Sequence, residues 1–206
     1  MFIFGHLGIG SKMVSPVTRG LPRRFVLIGA ILPDLIDKPL YYALSLATVK
    51  SGSELGLISG TRTVGHTGIF LLLLTCAAIA RRSRVLAALV LGVASHLILD
   101  GVSDHFANIN GTAIGASSAA IALIFPLQGV RFAVLPFSNV GEHLGSLRQP
   151  WFYITEAAGA LILFWDYWKS ANKREITARF QAQRTERRRL KNHRRQAIKA
   201  EMSKRL

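Results

Sequence analysis

The chain is poor in three things, and each absence narrows what it can be. It has a single cysteine, Cys76, among 206 residues. One thiol excludes an internal disulfide and every cysteine-based metal motif. Lying in the middle of an apolar block, Cys76 reads as a small buried hydrophobe. Next, no cation precedes the short apolar opening Met1-Phe-Ile-Phe-Gly-His6. The start therefore lacks the basic region of a cleavable signal peptide, and the mature helices are expected to direct membrane insertion. Acids, finally, are scarce: 11 Asp and Glu against 26 Lys and Arg give a formal net charge of +15. That excess belongs to one end. Residues 169–206 hold 14 Lys/Arg against 3 Glu, whereas residues 1–168 hold 12 Lys/Arg against 8 Asp/Glu.

What is abundant is apolar sequence in long blocks: Phe25–Val49, Val64–Ala80, Val85–Asp100, Thr112–Leu127 and Phe152–Trp168. A hydrocarbon core of about 30 Å needs about 20 helical residues, so the shorter blocks imply tilt or partial spanning. They leave no amphipathic stripe to face water, which argues against a soluble bundle. Arg19–Arg24, Ser51-Gly-Ser53, Arg81–Arg84 and Gln149-Pro-Trp151 punctuate the blocks. Trp165, Tyr167 and Trp168 suit a membrane interface. The expected fold is all-α, a polytopic membrane bundle of about four to six helices. The expected division is a membrane-embedded domain over 1–168 and a basic helix or arm over 169–206. Cationic loops favour the cytoplasm, so block one should run outward, block two inward and block three outward, with the basic tail cytoplasmic.

Five of the six histidines lie in the apolar body: His6, His66, His96, His105 and His143. Asp34 and Asp37 fall inside block one, and Asp100 follows His96 by four residues. Helical spacing lets Asp34 and Asp37, His96 and Asp100, and Arg62 and His66 share faces. Pro33 and Pro39 bracket the first acidic pair and are expected to break the helix, freeing backbone groups. An Asp at bilayer depth costs about 2.5–3.5 kcal/mol, so three cost about 7–10 kcal/mol without a partner. A salt-bridge network using Lys38 and Arg62 would offset part of this. One divalent cation offsets it better, neutralising two carboxylates and using neutral imidazoles as ligands. In the orientation above, Asp34, Asp37, His66, His96 and Asp100 can meet in the outer half of the membrane.

Four segments carry a resemblance: Phe4-Gly-His-Leu-Gly-Ile-Gly10, Gly29-Ala-Ile-Leu-Pro-Asp-Leu-Ile-Asp-Lys-Pro39, Gly60-Thr-Arg-Thr-Val-Gly-His-Thr67 and Ser95-His-Leu-Ile-Leu-Asp100. In this order they resemble the bacterial membrane-bound, predicted metal-dependent hydrolases grouped with the YdjM-type inner-membrane proteins. The likeness spans about residues 4–100 and extends more loosely through Phe125-Pro-Leu127 and Leu135-Pro-Phe-Ser138. It implies that His6, Asp34, His66, His96 and Asp100 bind metal, with Asp37 alongside. The order of ligands is similar, far more loosely, to the zinc-dependent phospholipase C group, which is where a lipid phosphoester substrate comes in. Many relatives read His-Arg-x-x-Thr-His-Ser around the second histidine. This chain has Gly65-His-Thr-Gly68 instead, with its arginine earlier, at Arg62.

The expected activity is metal-assisted hydrolysis in the inner membrane, acting on a lipid or phosphoester. Zinc is the expected ion, with manganese or iron as alternatives. Asp37, Arg62 and Asp104 are the candidate catalytic residues. Asp37 joins His6 in completing the centre or a second one, Arg62 holds an anionic head group, and Asp104 or His105 acts as general base. His143 reads as interfacial. A divalent-ion transporter would use the same inward-facing residues, and a non-enzymatic scaffold would use the tail. Anionic lipid is the expected partner of the tail. Nucleic acid is disfavoured, because no aromatic platform accompanies Arg187–Arg189 and Arg194-Arg195. No protein partner is indicated.

Overall fold

A computed structural model describes residues 3–109, 118–134 and 150–172. His143 and nearly all of the basic tail lie outside the described residues. Among those described the fold is all-α, with no strand. Its first helix, α1, joins a turn Ile3–Gly5, a π-helical stretch His6–Gly10 and a turn Ser11–Met13 end to end. Then come α2 (Arg23–Thr48), α3 (Gly68–Ala80), α4 (Arg84–Ile109), α5 (Ser118–Ile124) and α6 over 150–172. Short 3₁₀ turns at Gly52–Leu55 and Val64–His66 interrupt the segment between α2 and α3. Contacts divide the chain into Met1–Leu163 and Phe164–Leu206. In the second unit Lys169 lies over the Trp165 ring at 5.1 Å.

The centre of the first unit is the pairing of α2 with α4. Where they cross, Gly29 lies against Leu89 and Gly92, and Gly92 lies against Val26 and Ala30. A methyl group on either glycine would overlap the other helix's backbone, so the absent Cβ atoms set how closely the rods approach. Residue numbers rise together along the two helices, from Val26 beside Ala88 to Ala30 beside His96. The helices are therefore parallel; α3, which joins them in the chain, packs on α4. Arg23 and Arg24 thus begin α2 at the same end at which Arg84 begins α4.

Four of the apolar blocks correspond to helices; of Thr112–Leu127, residues 112–117 lie outside the described residues and Ser118–Ile124 is helical. Some local expectations are corrected. Pro33 and Pro39 do not break the helix: α2 runs unbroken from Arg23 to Thr48 with both inside it. Packing of the Val26–Ala30 turn onto α4 holds the rod together through the prolines. A proline does remove one donor from the ladder, and the nearby Ala30 carbonyl accepts a hydrogen bond from His96 Nδ1 at 2.8 Å. The second correction concerns block two, whose helix starts at Gly68 instead of Val64. Thr67 caps it, its Oγ1 accepting from the Phe70 N–H at 3.0 Å, as threonine does at helix N-termini. Arg62 and His66 consequently belong to a loop, not to one helix face.

Cys76 is exposed instead of buried. It shares an outward stripe of α3 with Ile69, Leu72, Leu73 and Ile79, all at least 42% exposed. A continuous apolar stripe of this kind suits lipid and would be costly in water. Among the described residues one helix, Arg84–Phe106, is long and apolar enough to cross a membrane, and Gly68–Ala80 is a shorter apolar helix of 13 residues.

Candidate metal centre

Three helices and one loop converge one to two turns beyond the α2–α4 crossing. Asp34 comes from α2, His96 and Asp100 from α4, His66 from the 3₁₀ turn before α3, and His6 from α1. All three histidines are 1% exposed or less, and Asp100 is 3% exposed. Buried side chains with this much polarity need partners, and the partners are one another.

Each of two imidazoles is oriented from behind. His66 Nδ1 lies 2.7 Å from Asp37 Oδ2, and His96 Nδ1 lies 2.8 Å from the Ala30 carbonyl. Both partners are acceptors, so both Nδ1 atoms carry hydrogen and donate. That fixes the tautomer and turns each Nε2 lone pair forward. The two Nε2 atoms then face one another at 3.1 Å. Around them stand Asp34 Oδ1, 3.7 Å from His66 Nε2 and 4.0 Å from His96 Nε2. Asp100 Oδ2 lies 3.5 Å from His66 Nε2 and 3.7 Å from His96 Nε2. His6 stacks on His96 with centroids 3.9 Å apart and approaches the other Asp100 oxygen, Oδ1, at 3.4 Å. No sulfur takes part.

These residues fit a divalent ion. Ligands ~2.0–2.2 Å from an ion stand ~3.3–3.6 Å apart in a tetrahedron. The separations between the two Nε2 atoms, and from each to Asp34 and Asp100, are 3.1–4.0 Å and bracket that edge. The donor atoms of His6, His96 and Asp100, and those of Asp34, His66 and His96, each gather within 4.8 Å.

Asp37 stands behind His66 and does not line the centre. It is fully buried. Its Oδ2 accepts from the Thr63 N–H at 2.7 Å and its Oδ1 from the Gly65 N–H at 2.9 Å, besides the bond to His66. The whole loop is thereby folded around one carboxylate. Gly65 packs on the Pro33 backbone, where a Cβ would be crowded to 3.0 Å.

Arg62 is tied into the centre's wall. Its Nε meets Asp100 Oδ2 at 2.9 Å, and one terminal nitrogen meets Asp104 Oδ1 and the Ser118 hydroxyl, both at 2.7 Å. Burial works against its charge, but Asp100 and Asp104 more than compensate and push its pKa further up. Burial likewise opposes protonation of His66, yet hydrogen bonds to Asp100 and Asp37 outweigh it and raise that pKa above the ordinary histidine value. Asp104 also accepts from the Ala119 N–H at 3.0 Å, fastening the start of α5. His105 is exposed and meets Phe106 edge-on. Lys38 pairs with Asp34 Oδ2 at 2.6 Å.

Exposure shows where the centre opens. Asp34, Asp104, Arg62 and Lys38 have side chains 16%, 17%, 22% and 32% exposed, against 4% or less for the histidines, Asp37 and Asp100. The mouth is thus rimmed by two acids and two cations. Helical rise puts Asp34 ~17 Å and Asp100 ~24 Å along their helices from Arg23 and Arg84. The mouth therefore lies away from the arginine-bearing helix ends.

Sequence reasoning found all five residues that meet here. It missed Glu156 of α6, whose carboxylate holds the start of α1, and its only sequence signal was an acid inside an apolar block. No curated protein and no solved structure matches the chain. The model of one family, described as YdjM inner membrane protein, matches residues 1–173, and the chain belongs to that family.

Proposed function

We propose that this protein is a multi-pass inner-membrane hydrolase built around one divalent metal ion. One observation carries the reading: with both Nδ1 atoms donating backward, two imidazole Nε2 lone pairs lie 3.1 Å apart, each 3.5–4.0 Å from one oxygen of Asp34 and one of Asp100. Arg62 Nε already meets one of these four acceptors, Asp100 Oδ2, at 2.9 Å, but the two Nε2 lone pairs and Asp34 Oδ1 still repel unless something positive stands among them. A proton bridging the two histidines satisfies those two alone; a divalent cation satisfies the carboxylate as well. Charge agrees. Asp34, Asp37, Asp100 and Asp104 carry four negative charges against Lys38 and Arg62, leaving two for an ion to neutralise.

His66, His96, Asp34 and Asp100 would hold the ion, with His6 as a further ligand. When bound, it would supply Lewis acidity and lower the pKa of water toward neutrality. The chain's own residues do the rest. Asp37 keeps His66 in one tautomer and orientation. Arg62, at the rim of the mouth, holds Asp100 and Asp104 in register. Lys38, beside Asp34 at the mouth, is placed to hold an anionic head group, and Asp34 is the acid of the centre most open to an incoming proton.

With the arginine ends of α2 and α4 cytoplasmic, the mouth faces the outer half of the membrane. A substrate presented there is a lipid or a lipid-linked phosphoester. The basic tail would rest on anionic lipid of the cytoplasmic leaflet, where each Lys or Arg contributes about 1 kcal/mol. Elemental analysis of detergent-purified protein should find bound zinc, manganese or iron near one ion per chain. Hydrolysis of reporter phosphodiesters or carboxyl esters should stop on chelation and return on metal addition. A protein that neither retains nor takes up divalent metal would overturn the reading. Metal uptake into liposomes without hydrolysis, lost in His66→Ala, would move the assignment to a carrier.

A further inference from the structure

Of the three histidines in the centre, His6 is held differently. His66 is braced by Asp37 and His96 by a backbone carbonyl, but His6 Nδ1, fully buried, has no hydrogen-bond partner among the described residues. Nothing behind the ring orients it. Its place is set by its stacking on His96, its approach to Asp100 Oδ1 at 3.4 Å and where α1 lies. The position of α1 therefore becomes the question, and two contacts with α6 answer it. The Glu156 carboxylate accepts from the Phe4 N–H at 2.9 Å through Oε2 and from the Gly5 N–H at 3.0 Å through Oε1. One turn further on, Gly8 lies against Gly159 so closely that a Cβ on either would overlap the other helix's backbone. On its other side, α1 rests through Gly10 on Ser95 and Leu99 of α4.

N–H groups in the first turn of a helix have no partner within that helix, and a carboxylate there also meets the positive end of the helix dipole. A carboxylate supplied by a different helix does more than cap: it pins the start of α1 to α6. Gly5, one of the two pinned residues, directly precedes His6. The stretch that follows is π-helical, a wider winding that turns its side chains by a different step and recurs at functional sites.

We propose that Glu156 is a positioning residue for His6, holding its imidazole at the metal centre by clasping the two amides that precede it. This rests on the metal-centre reading above. Loss of the clasp should weaken metal binding through His6 alone, because Asp34, His66, His96 and Asp100 are held by α2, α4 and the Asp37 loop.

The test is a double-mutant cycle on Zn²⁺ affinity, read by competition with a chromophoric chelator on the full chain in detergent. Removing a residue that orients a ligand costs about 10–100-fold in affinity. Glu156→Ala should fall in that range, and Glu156→Gln, which keeps the shape and one acceptor, should lose less. In a His6→Ala background the same Glu156 substitutions should cost less than about twofold, because the ligand they position is gone. Equal losses with and without His6, or no loss in Glu156→Gln and Glu156→Ala alike, would overturn the inference. Should Glu156→Ala fail to fold, the isosteric Glu156→Gln completes the cycle alone. Wild-type protein that binds no Zn²⁺, Mn²⁺ or Fe²⁺ would instead sink the metal centre itself, and this inference with it.

Discussion

Asp37→Asn is the most informative single change, because it keeps the volume of a fully buried side chain while altering what it can accept. In the native loop Oδ2 receives two donors, Thr63 N–H and His66 Nδ1, and Oδ1 receives Gly65 N–H. An asparagine has one acceptor oxygen. Its best placement keeps that oxygen at the Oδ2 position and turns its amide NH₂ toward the Gly65 N–H, donor against donor. A buried donor left unsatisfied costs about 1–3 kcal/mol, and Gly65 has little freedom to move, being packed on Pro33. The metal-free protein should therefore lose about 1–3 kcal/mol of stability. Metal affinity should fall separately, by about 10–100-fold, because His66 loses the anionic partner that raises its basicity as a ligand. Thermal unfolding in detergent, with and without saturating Zn²⁺, separates the two effects: the stabilisation gained from a fixed metal concentration shrinks as Kd rises. If the variant lost stability yet bound metal as tightly as the wild type, Asp37 would serve the loop alone, and its role behind the metal ligand would be refuted.

Four further outcomes follow from the same geometry. His96→Ala should abolish stoichiometric metal, measured by elemental analysis, since it removes the donor atom shared by both clusters; retained metal would exclude His96 as a ligand. Metal binding should release protons as the pH is lowered into the titration range of His66, because a protonated His66 must lose its Nε2 hydrogen to take up the ion, and its pKa lies above the ordinary histidine value. Affinity should accordingly climb with pH and level off above that raised pKa, and calorimetry in buffers of different ionisation enthalpy would detect the proton. Arg62→Ala should destabilise the fold by about 3–5 kcal/mol by stranding Asp100 and Asp104, with partial rescue by Asp104→Asn. Gly92→Ala should cost about 1–3 kcal/mol by overpacking against Val26 and Ala30, and unaltered thermal stability would contradict the close crossing.

The helices were legible because apolar blocks and charged punctuation are local signals, and the family was legible because the His and Asp motifs keep their order. Convergence of His6, Asp34, His66, His96 and Asp100 was legible for an energetic reason: buried acids and imidazoles must find one another. What stayed hidden was direction. Spacing put Asp34 and Asp37 on one face of α2, and both do turn toward His66, but to opposite edges of its ring. That distinction, ligand against brace, depends on a loop whose fold no period encodes. Arg62 and His66 looked like neighbours on a helix, yet Thr67 caps α3 after them, so their reach follows from the 3₁₀ turn. Helix-breaking by proline is a rule about isolated helices, and the packing of α2 against α4 overrides it.

The two cations at the centre bear on what the site can accept. Had Lys38 and Arg62 stood free, a phosphate dianion would have been the natural ligand even without metal. Instead both lie at the mouth with their charge engaged, Arg62 on Asp100 and Asp104, and Lys38 on Asp34, with side chains 22% and 32% exposed. With a divalent ion bound, the cluster is neutral overall, so an incoming anion is drawn by local placement and not by surplus charge. On the hydrolase reading proposed above, such a centre would suit a substrate already held at the membrane, where apolar faces of α3 and α4 would supply binding free energy and a modest polar contact would orient the scissile group. The exposed apolar stripe of α3 and the buried polar centre would on that reading act together: the first would keep the protein where such a substrate is, and the second would need only to finish the alignment.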